Sequence, residues 1–437
     1  MRLQGFVNGV LDSFYEFTGT SRSVCLLMAV TPETAHVIGT WAGAREAYRS
    51  KSLRQALFDG SVVMDDVLIN LHGAEHRDRR RIENPLFRRD VQLQYEREEF
   101  PRILHAALAP HLASGRCELM SFSHRTMLSL SCVNAGIDRM IADEAEFTRL
   151  IALLAEFIEG ARIHHYQGDR EMKVAEIAVA VRAFEDEFVR PSAERRRAIL
   201  SAGGTLPRDV LAMLVANTEL SIAVMSREVA FYLTAGASTS AVALTNTVQN
   251  ILSWLAKNPE DRRRLVEEPS FVRRCILETL RLSPISPIGG RRATKDFRLS
   301  DGKQISSGDR VDIDIESANR DKSVFGFTAN EFDPDRLLPD DIPRHGFSFG
   351  HGMHHCIGAE LAGGVDPDPE EGFHQRLLGL VGVVVHELVR HNVRFDPDDP
   401  PVEESTTARK AYRRFPVLVD RGEATEKLIF KTGLDQV

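Results

Sequence analysis

The stretch that most constrains the fold covers residues 347–358 and reads Phe-Ser-Phe-Gly-His-Gly-Met-His-His-Cys-Ile-Gly. Its glycines permit backbone angles that are closed to other residues, so the chain can turn tightly and bring bare amides near the sulfur of Cys356. A helical composition follows from Ile357, and amides at the start of a helix lower the pKa of a thiol. The pattern predicts a rigid loop that presents a thiolate, either as a metal ligand or as a nucleophile.

Residues 349–358 have the form Phe-Gly-x-Gly-x-His-x-Cys-x-Gly, which resembles the haem-binding loop of the cytochrome P450 superfamily position for position. The resemblance implies haem b as the cofactor, Cys356 as the axial ligand of its iron, and His354 as a contact of a haem propionate. A thiolate ligand of this kind favours O–O cleavage. The alternatives are a buried structural cysteine and a zinc site, but zinc ligands usually come in pairs from two separate places.

Length and composition agree with a large globular protein. The chain has 437 residues, 43% of them hydrophobic and 27% charged, and no linker or repeat divides it. A formal net charge of -8 argues against nucleic acid as the main partner. Five cysteines without framework spacing favour a reducing cytoplasm. Neither residues 1–8 nor residues 25–30 have the apolar length of a membrane span, so we expect a soluble protein without a membrane partner. Within the P450 resemblance, a soluble protein implies a bacterial-type enzyme.

The P450 resemblance implies a mainly α fold with small β-sheets, in which residues 1–437 form a single haem-thiolate domain. Haem would lie between a long distal helix and the proximal cysteine loop. Apolar spacing predicts amphipathic helices over residues 100–219 and one long helix over residues 221–257. Pro207 is expected in the first turn of a helix.

Strands and further helices are predicted more locally. Residues 35–41 suggest a strand that leads into a helix over residues 44–51. Alternation in residues 297–299 and 311–314 predicts a small β-hairpin region around Asp301-Gly302. Prolines at 367 and 369 interrupt the helix expected after Cys356 and indicate an insertion, with helical pattern resuming over residues 370–390.

Residues 235–239, Ala-Gly-Ala-Ser-Thr, resemble the family's distal motif on the long helix. The resemblance implies three catalytic positions: Gly236 leaves room for a ligand of the iron, and Thr239 with Ser238 supplies hydrogen bonds. A crossing of small residues between helices is the alternative for Gly236. Ser238 stands where the family usually has a carboxylate, and a hydroxyl is a poorer proton relay. Either a water chain on Ser238 and Thr239 or a substrate group supplies the proton, or the enzyme uses peroxide or another oxidant.

His76 and Arg80 are four residues apart on a predicted helix and so share one face. They resemble the family's propionate-binding pair, and Arg291 lies in a segment that resembles a further propionate site. Arginine suits bidentate contact with a carboxylate. Four neighbouring arginines are expected to point outward: Arg77, Arg79, Arg88 and Arg89. They would either dock a reductase or an acidic ferredoxin, or simply keep the surface soluble.

A Glu-x-x-Arg sequence at Glu278 and Arg281 is weak evidence alone, but its order relative to the other motifs resembles the family. The resemblance implies that Arg336 joins these two residues in a buried charge network. Such a network must be fully paired, because removing one member leaves an uncompensated buried charge.

Together the motifs imply a haem-thiolate monooxygenase that inserts one oxygen atom from O2 into a small organic substrate. Hydroxylation or epoxidation in secondary metabolism is the expected reaction. Because the chain has no flavin or iron–sulfur segment, electrons would come from a separate ferredoxin and an NAD(P)H-dependent ferredoxin reductase. A peroxide-driven or non-oxygenative haem-thiolate enzyme is the alternative, followed by a haem-binding sensor.

Overall fold

The computed structural model describes residues 36–139, 143–365, 377–405 and 407–421. The segments 1–8 and 25–30 lie outside this part, as do Pro367, Pro369 and the start of the helix expected from residue 370. Most described residues are helical, with small sheets between them, so the predicted fold class is confirmed. Among the described residues, no helix combines the length and the apolar character needed to span a membrane.

The α-helices follow the chain in this order: α1 Trp41–Arg49, α2 Gly73–Glu83, α3 Arg89–Gln94, α4 Phe100–Ser114, α5 Leu119–Ala135, α6 Glu144–Ala161, α7 Arg170–Phe184, α8 Arg190–Ser201, α9 Val210–Asn217, α10 Ile222–Leu255, α11 Asp261–Glu267, α12 Pro269–Leu282, α13 Ile315–Ala318, α14 Lys322–Phe325, α15 Ala359–Gly363 and α16 Gly379–Arg390. Short 3-10 helices cover Asn84–Phe87, Ile163–His165 and Gly352–His354, and π-helical turns cover Tyr95–Glu99 and Glu185–Val189.

The strands are β1 His36–Ile38, β2 Leu53–Gln55, β3 Arg116–Glu118, β4 Ile288–Ala293, β5 Phe297–Arg298, β6 Gln304–Ile305, β7 Arg310–Asp314, β8 Arg394–Phe395, β9 Val402–Glu403, β10 Tyr412–Arg414 and β11 Pro416–Leu418. The largest sheet has the order β1-β7-β4-β2, in which β1 pairs with β7 in parallel. Strand β5 pairs with β6, and β7 pairs with β4. The predicted small β-hairpin region around the Asp301-Gly302 turn is thus confirmed as the pair β5–β6, and residues 311–314 belong to a strand of the largest sheet.

Helix α10 is 34 residues long and matches the long helix predicted over residues 221–257. It begins after Ser221, whose hydroxyl accepts a hydrogen bond from the Val224 amide at 3.3 Å. From Ser240 to Val248 every residue is buried, whereas most residues of 231–239 are partly exposed. The middle of a core helix therefore borders open space.

Two helix starts differ from the predictions. Helix α1 begins at Trp41 rather than at residue 44, because Thr40 accepts a hydrogen bond from the Gly43 amide at 3.2 Å. Helix α9 begins at Val210, and the N-cap is Asp209, which accepts from the Ala212 amide at 2.7 Å. Pro207 precedes this cap, so its predicted place in the first turn is wrong.

The cysteine loop is attached to the rest of the protein at its N-terminal side. Phe347 is buried, and its ring centroid lies 4.1 Å from that of Trp41 on α1. The Phe347 amide donates to Asn319 Oδ1 at 2.7 Å, and the Ser348 hydroxyl donates to the Leu280 carbonyl of α12 at 2.6 Å. These contacts fix the loop against α1 and α12.

Candidate active site

The loop before Cys356 folds back on itself. Gly350 and Gly352 have φ values of +68° and +72°, in the left-handed region that favours glycine. The Cys356 amide donates to the Phe349 carbonyl at 2.8 Å, which closes the loop. A side chain at position 352 would place its Cβ 2.6 Å from the Tyr48 carbonyl oxygen, so the close approach of α1 also requires glycine there.

The thiol of Cys356 does not favour the thiolate by itself. Cys356 keeps solvent-accessible surface, yet surrounding protein desolvates its sulfur and raises its pKa, against smaller lowering effects of the Gly358 amide and Arg80. A backbone amide therefore does lower the pKa of Cys356 as expected, but the opposite effect of burial is larger. A metal cation bound at the sulfur would deprotonate the thiol outright, so the donor chemistry fits a metal-ligated thiolate.

Three histidines lie together beside this loop. The ring centroids of His76 and His354 are 4.3 Å apart, and those of His72 and His354 are 6.2 Å apart. Neither ring nitrogen of His354 has a hydrogen-bond partner, and Nδ1 of His76 and of His72 is also unpartnered among the described residues. Burial, followed by nearby positive groups, lowers the pKa of His76 to about 4 and that of His354 to about 3. These imidazoles are neutral at pH 7 and retain unused hydrogen-bonding capacity.

Arg80 and Arg291 are the cations of what we call the cation cluster, which also contains His72, His76 and His354. Both arginines act electrostatically on His354. Arg80 Nη1 donates to the His355 carbonyl at 2.8 Å, while the buried Arg291 lies over the Tyr48 ring at 4.9 Å. Among the described residues, no carboxylate forms an ion pair with either arginine.

A buried cation without a counter-ion is costly. The cation cluster therefore suits a ligand that brings its own carboxylates, and the two propionates of haem satisfy that requirement beside Cys356. The unpartnered nitrogens of His76 and His354 would find hydrogen-bond partners in the same carboxylates. The residues present thus fit haem b.

On α10, Thr239 Oγ1 donates to the Ala235 carbonyl one turn back at 2.5 Å. The hydroxyl hydrogen is committed, so its oxygen can accept a hydrogen bond from water or substrate. Gly236 packs toward α5, since a Cβ there would lie 3.0 Å from Ser131 Oγ. This contact favours the helix-crossing alternative for Gly236, and its space-giving role stays a prediction. Ser238 and Thr239 are both partly exposed.

Glu278, Arg281 and Arg336 meet in the core between α12 and the segment before the cysteine loop. Arg281 contacts both carboxylate oxygens of Glu278, with Nε to Oε2 at 2.8 Å and Nη2 to Oε1 at 2.7 Å. Arg336 Nε donates to Glu278 Oε1 at 3.1 Å. Other N–H groups of the two guanidinium groups donate to backbone carbonyls, among them that of Asn319. All three side chains are buried.

The structure corrects one expectation about the arginines of α2. Arg77 is exposed, but Arg79 is buried, and its Nη1 lies 2.5 Å from Glu228 Oε2 on α10. The sequence carries a signal for this position, because residue 79 is three residues after His76 and shares its helix face. Nothing in the local sequence indicates Glu228 as the partner.

Comparison with known proteins identifies the family. The family model described as Cytochrome P450 matches residues 24–363. The chain belongs to the cytochrome P450 family. Proteins of this family are haem-thiolate monooxygenases that bind haem b through a cysteine thiolate, as the resemblance of the cysteine loop implies.

Two bacterial relatives illustrate the match to this P450. Cytochrome P450 105A3 of Streptomyces carbophilus is 36% identical over 149 residues, which is 34% of either protein. Mycinamicin IV hydroxylase/epoxidase of Micromonospora griseorubida is 34% identical over 121 residues, 27% of this chain and 28% of the relative. The aligned parts thus span about a third or less of these relatives.

Solved structures share the fold of this P450 over nearly its whole length. P450BioI, crystallised in complex with an acyl carrier protein, has a TM-score of 0.68 at 17% identity and covers 93% of this chain and 100% of its own. CalO2 has a TM-score of 0.67 at 19% identity, covering 92% and 96% respectively. At this identity the likeness concerns the fold, and the predicted P450 fold is confirmed.

Proposed function

We propose that this P450 is a monooxygenase that inserts one oxygen atom from O2 into a small organic substrate by hydroxylation or epoxidation, in secondary metabolism. The observation that carries the proposal is the cation cluster beside the cysteine loop, whose two arginines form no ion pair with a carboxylate of the described residues. A relative that is named a hydroxylase/epoxidase supports the reaction type.

Each residue has an assigned task. Cys356 Sγ would hold the iron, while His76, Arg80, Arg291 and His354 would hold the propionates by donating hydrogen bonds to them. When bound, the haem would supply the chemistry of O2 activation.

On the opposite side, α10 borders the space in which substrate binds. Thr239 accepts a hydrogen bond from a water or a substrate hydroxyl, because its own hydrogen is used by Ala235. Ser238 adds a second hydroxyl to that water chain, and the small residue Gly236 lets α10 lie close to α5. Glu278, Arg281 and Arg336 act at a distance, since they hold the segment that leads to the cysteine loop.

The whole chain is proposed to form one domain. Pairing of β1 and β2 with β7 and β4 joins the beginning of the described chain to its second half, and β3 pairs with β11 near the end. We further propose a cytoplasmic protein, on the basis of its odd number of cysteines without framework spacing. Exposed Arg77 and Arg88, on or near α2, would face a separate acidic ferredoxin that is served by an NAD(P)H-dependent reductase.

Turnover in 18O-labelled O2 tests the proposal. We expect one labelled oxygen atom in the product, and none when the label is in water. The second candidate, a peroxide-driven or non-oxygenative reaction, is motivated by Ser238 in place of a carboxylic acid. A product formed under turnover without label from O2 would exclude the monooxygenase.

A further inference from the structure

A buried cluster of ionisable side chains lies between α2 and α10. We call Arg79, Glu83, Glu228 and Tyr232 the acid cluster. The Tyr232 hydroxyl donates to Glu83 Oε2 at 2.5 Å, and Glu228 accepts from Arg79 and from the Leu68 amide. Glu83 and Glu228 are fully buried, and Glu83 Oε1 has no hydrogen-bond partner in the part of the chain that the structure describes. The proposed function uses none of these groups.

The charges of the acid cluster do not balance when both acids are ionised. Arg79 is the cation in contact with Glu228, and it also acts on Glu83, as Arg80 does from outside the acid cluster. Burial raises the pKa of Glu83 to about 7, and burial together with the Glu83 charge raises that of Glu228. Tyr232, which faces both acids, has a raised pKa for the same reasons. The two carboxylates therefore retain a proton near neutral pH.

The acid cluster and the distal motif lie on the same side of α10. At 100° per residue, Glu228, Tyr232, Ala235 and Thr239 fall within an arc of about 60°. Thr239 lies two turns beyond Tyr232, about 10 Å along the axis. Tyr232, Ser238 and Thr239 all belong to the partly exposed stretch of α10.

The acid cluster is also close to the haem-binding side. The rings of Tyr232 and Phe87 stack with centroids 6.2 Å apart. A Cβ at Gly358, two residues after Cys356, would lie 3.8 Å from the Phe87 ring. Phe87 thus connects the acid cluster to the cysteine loop.

We propose that Glu83, Tyr232 and Glu228 hold and deliver the proton that the distal side requires, in place of the carboxylate that α10 lacks at Ser238. This inference rests on the proposed monooxygenase function. In this path Tyr232 is the last member before the distal side. Arg79 is a positioning residue for Glu228.

The transfer conserves protons. When the Tyr232 hydroxyl turns away from Glu83 toward Thr239, its proton passes to a water in the space that α10 borders. The phenol oxygen takes the proton of Glu83 in exchange. Glu83 is then reprotonated from solvent on the side of Glu228 and Arg79, where Arg79 Nη1 donates to the carbonyl of the exposed Asp66 at 3.3 Å. One proton thus enters the acid cluster from solvent, and one leaves it on the distal side.

Two conservative variants of the haem-loaded protein test the proposal. Tyr232→Phe removes the hydroxyl and keeps the ring against Phe87, and Glu83→Gln keeps an acceptor for Tyr232 but cannot carry the proton. Tyr95→Phe is the matched control, because the buried Tyr95 also donates to a partner, the Arg208 carbonyl. For each protein we would measure product formation with O2, product formation with hydrogen peroxide, and infrared absorption of protonated carboxyls.

We expect both variants to lower O2-driven product formation about 100-fold, at the low end of what a positioned proton donor contributes. Peroxide-driven product formation should be unaffected, because peroxide brings its own protons. Glu83→Gln should also remove a protonated-carboxyl band that is present in the unmodified protein at pH 6.

Three results would overturn the inference: O2-driven rates in both variants equal to those of Tyr95→Phe, an equal loss with peroxide, or no carboxyl band at pH 6. The infrared measurement requires no turnover, and Glu83→Gln provides the rate test should Tyr232→Phe not fold. Absence of labelled product from the unmodified protein would instead reject the proposed function, and the inference with it.

Discussion

Arg281 and Glu278 form a fully buried bidentate ion pair on α12, with Nε–Oε2 and Nη2–Oε1 distances of 2.8 and 2.7 Å. Arg336 adds a third contact from the segment before the cysteine loop. The carbonyls of Asn319, Ala329 and Glu331 accept the other Arg281 guanidinium hydrogens at 2.8, 2.7 and 3.3 Å. The haem-binding loop is thus positioned by a charge network that is not itself part of the loop.

Glu278→Ala is predicted to destabilise the protein by about 3–5 kcal/mol, because two buried guanidinium groups lose their shared carboxylate. A loss of that size approaches the whole stability of many domains, so the variant should fail to retain haem. Chemical denaturation and the ratio of haem to protein measure the two effects. Glu316→Ala is the control, since Glu316 pairs with Arg320 at the surface, and should cost at most about 1 kcal/mol. Haem retained at the unmodified level in Glu278→Ala would contradict the prediction.

Arg291→Gln should weaken haem binding about 10- to 100-fold, the equivalent of one lost charge-assisted hydrogen bond of about 1.5–3 kcal/mol. The neighbouring Arg292→Gln is the matched control, because Arg292 pairs with Asp59 at 3.0 Å instead. Haem transfer to an acceptor protein measures both affinities. Equal affinities in the two variants would remove Arg291 from the cofactor site.

Thr239→Ala is predicted to uncouple O2 consumption from product formation, because the oxygen that accepts a hydrogen bond near the distal side is lost. Thr247→Ala is matched to it on the same helix, since Thr247 also donates to the carbonyl one turn back, at 2.7 Å. Peroxide released per product molecule is the measurement. If both variants release the same amount, the effect belongs to helix geometry and not to the distal hydroxyl.

Glu83→Gln should change how stability depends on pH. Burial raises the Glu83 pKa from 4.5 to about 7, so between these values the folded protein binds more protons than the unfolded chain. This contribution is therefore complete below about pH 4.5 and is lost as pH rises toward 7, by about 3 kcal/mol in total. Denaturation at pH 5 and pH 8 should show that Glu83→Gln removes this loss of folding stability with rising pH. The exposed Glu98→Gln is the control, and an identical pH slope in both variants would contradict the shift.

Features that depend on local sequence were predicted well. Glycines at 350 and 352 indicated the tight cysteine loop, and the apolar spacing indicated α10 within two residues at either end. His76 and Arg80 could be placed on one face from their spacing alone, and the structure brings them together with Arg291 and His354.

Features that depend on distant contacts were not predictable in the same way. Strand β7 pairs in parallel with β1, which lies at the beginning of the described chain, so this contact joins distant parts of the sequence. Arg79 was expected to point outward because His76 and Arg80 were assigned to the inner face, and its burial becomes possible through Glu228, 149 residues later in the chain. No local pattern records such a pairing.

The central claim is that Cys356 supplies the thiolate ligand of haem iron. The direct measurement is the absorption spectrum of the reduced protein with carbon monoxide, compared between Cys356→Ser and Cys275→Ser, a buried cysteine on α12. We predict that the unmodified protein and Cys275→Ser show the red-shifted Soret band of thiolate-ligated haem and that Cys356→Ser does not. The same red-shifted band in Cys356→Ser, or purification of the unmodified protein without haem, would contradict the account.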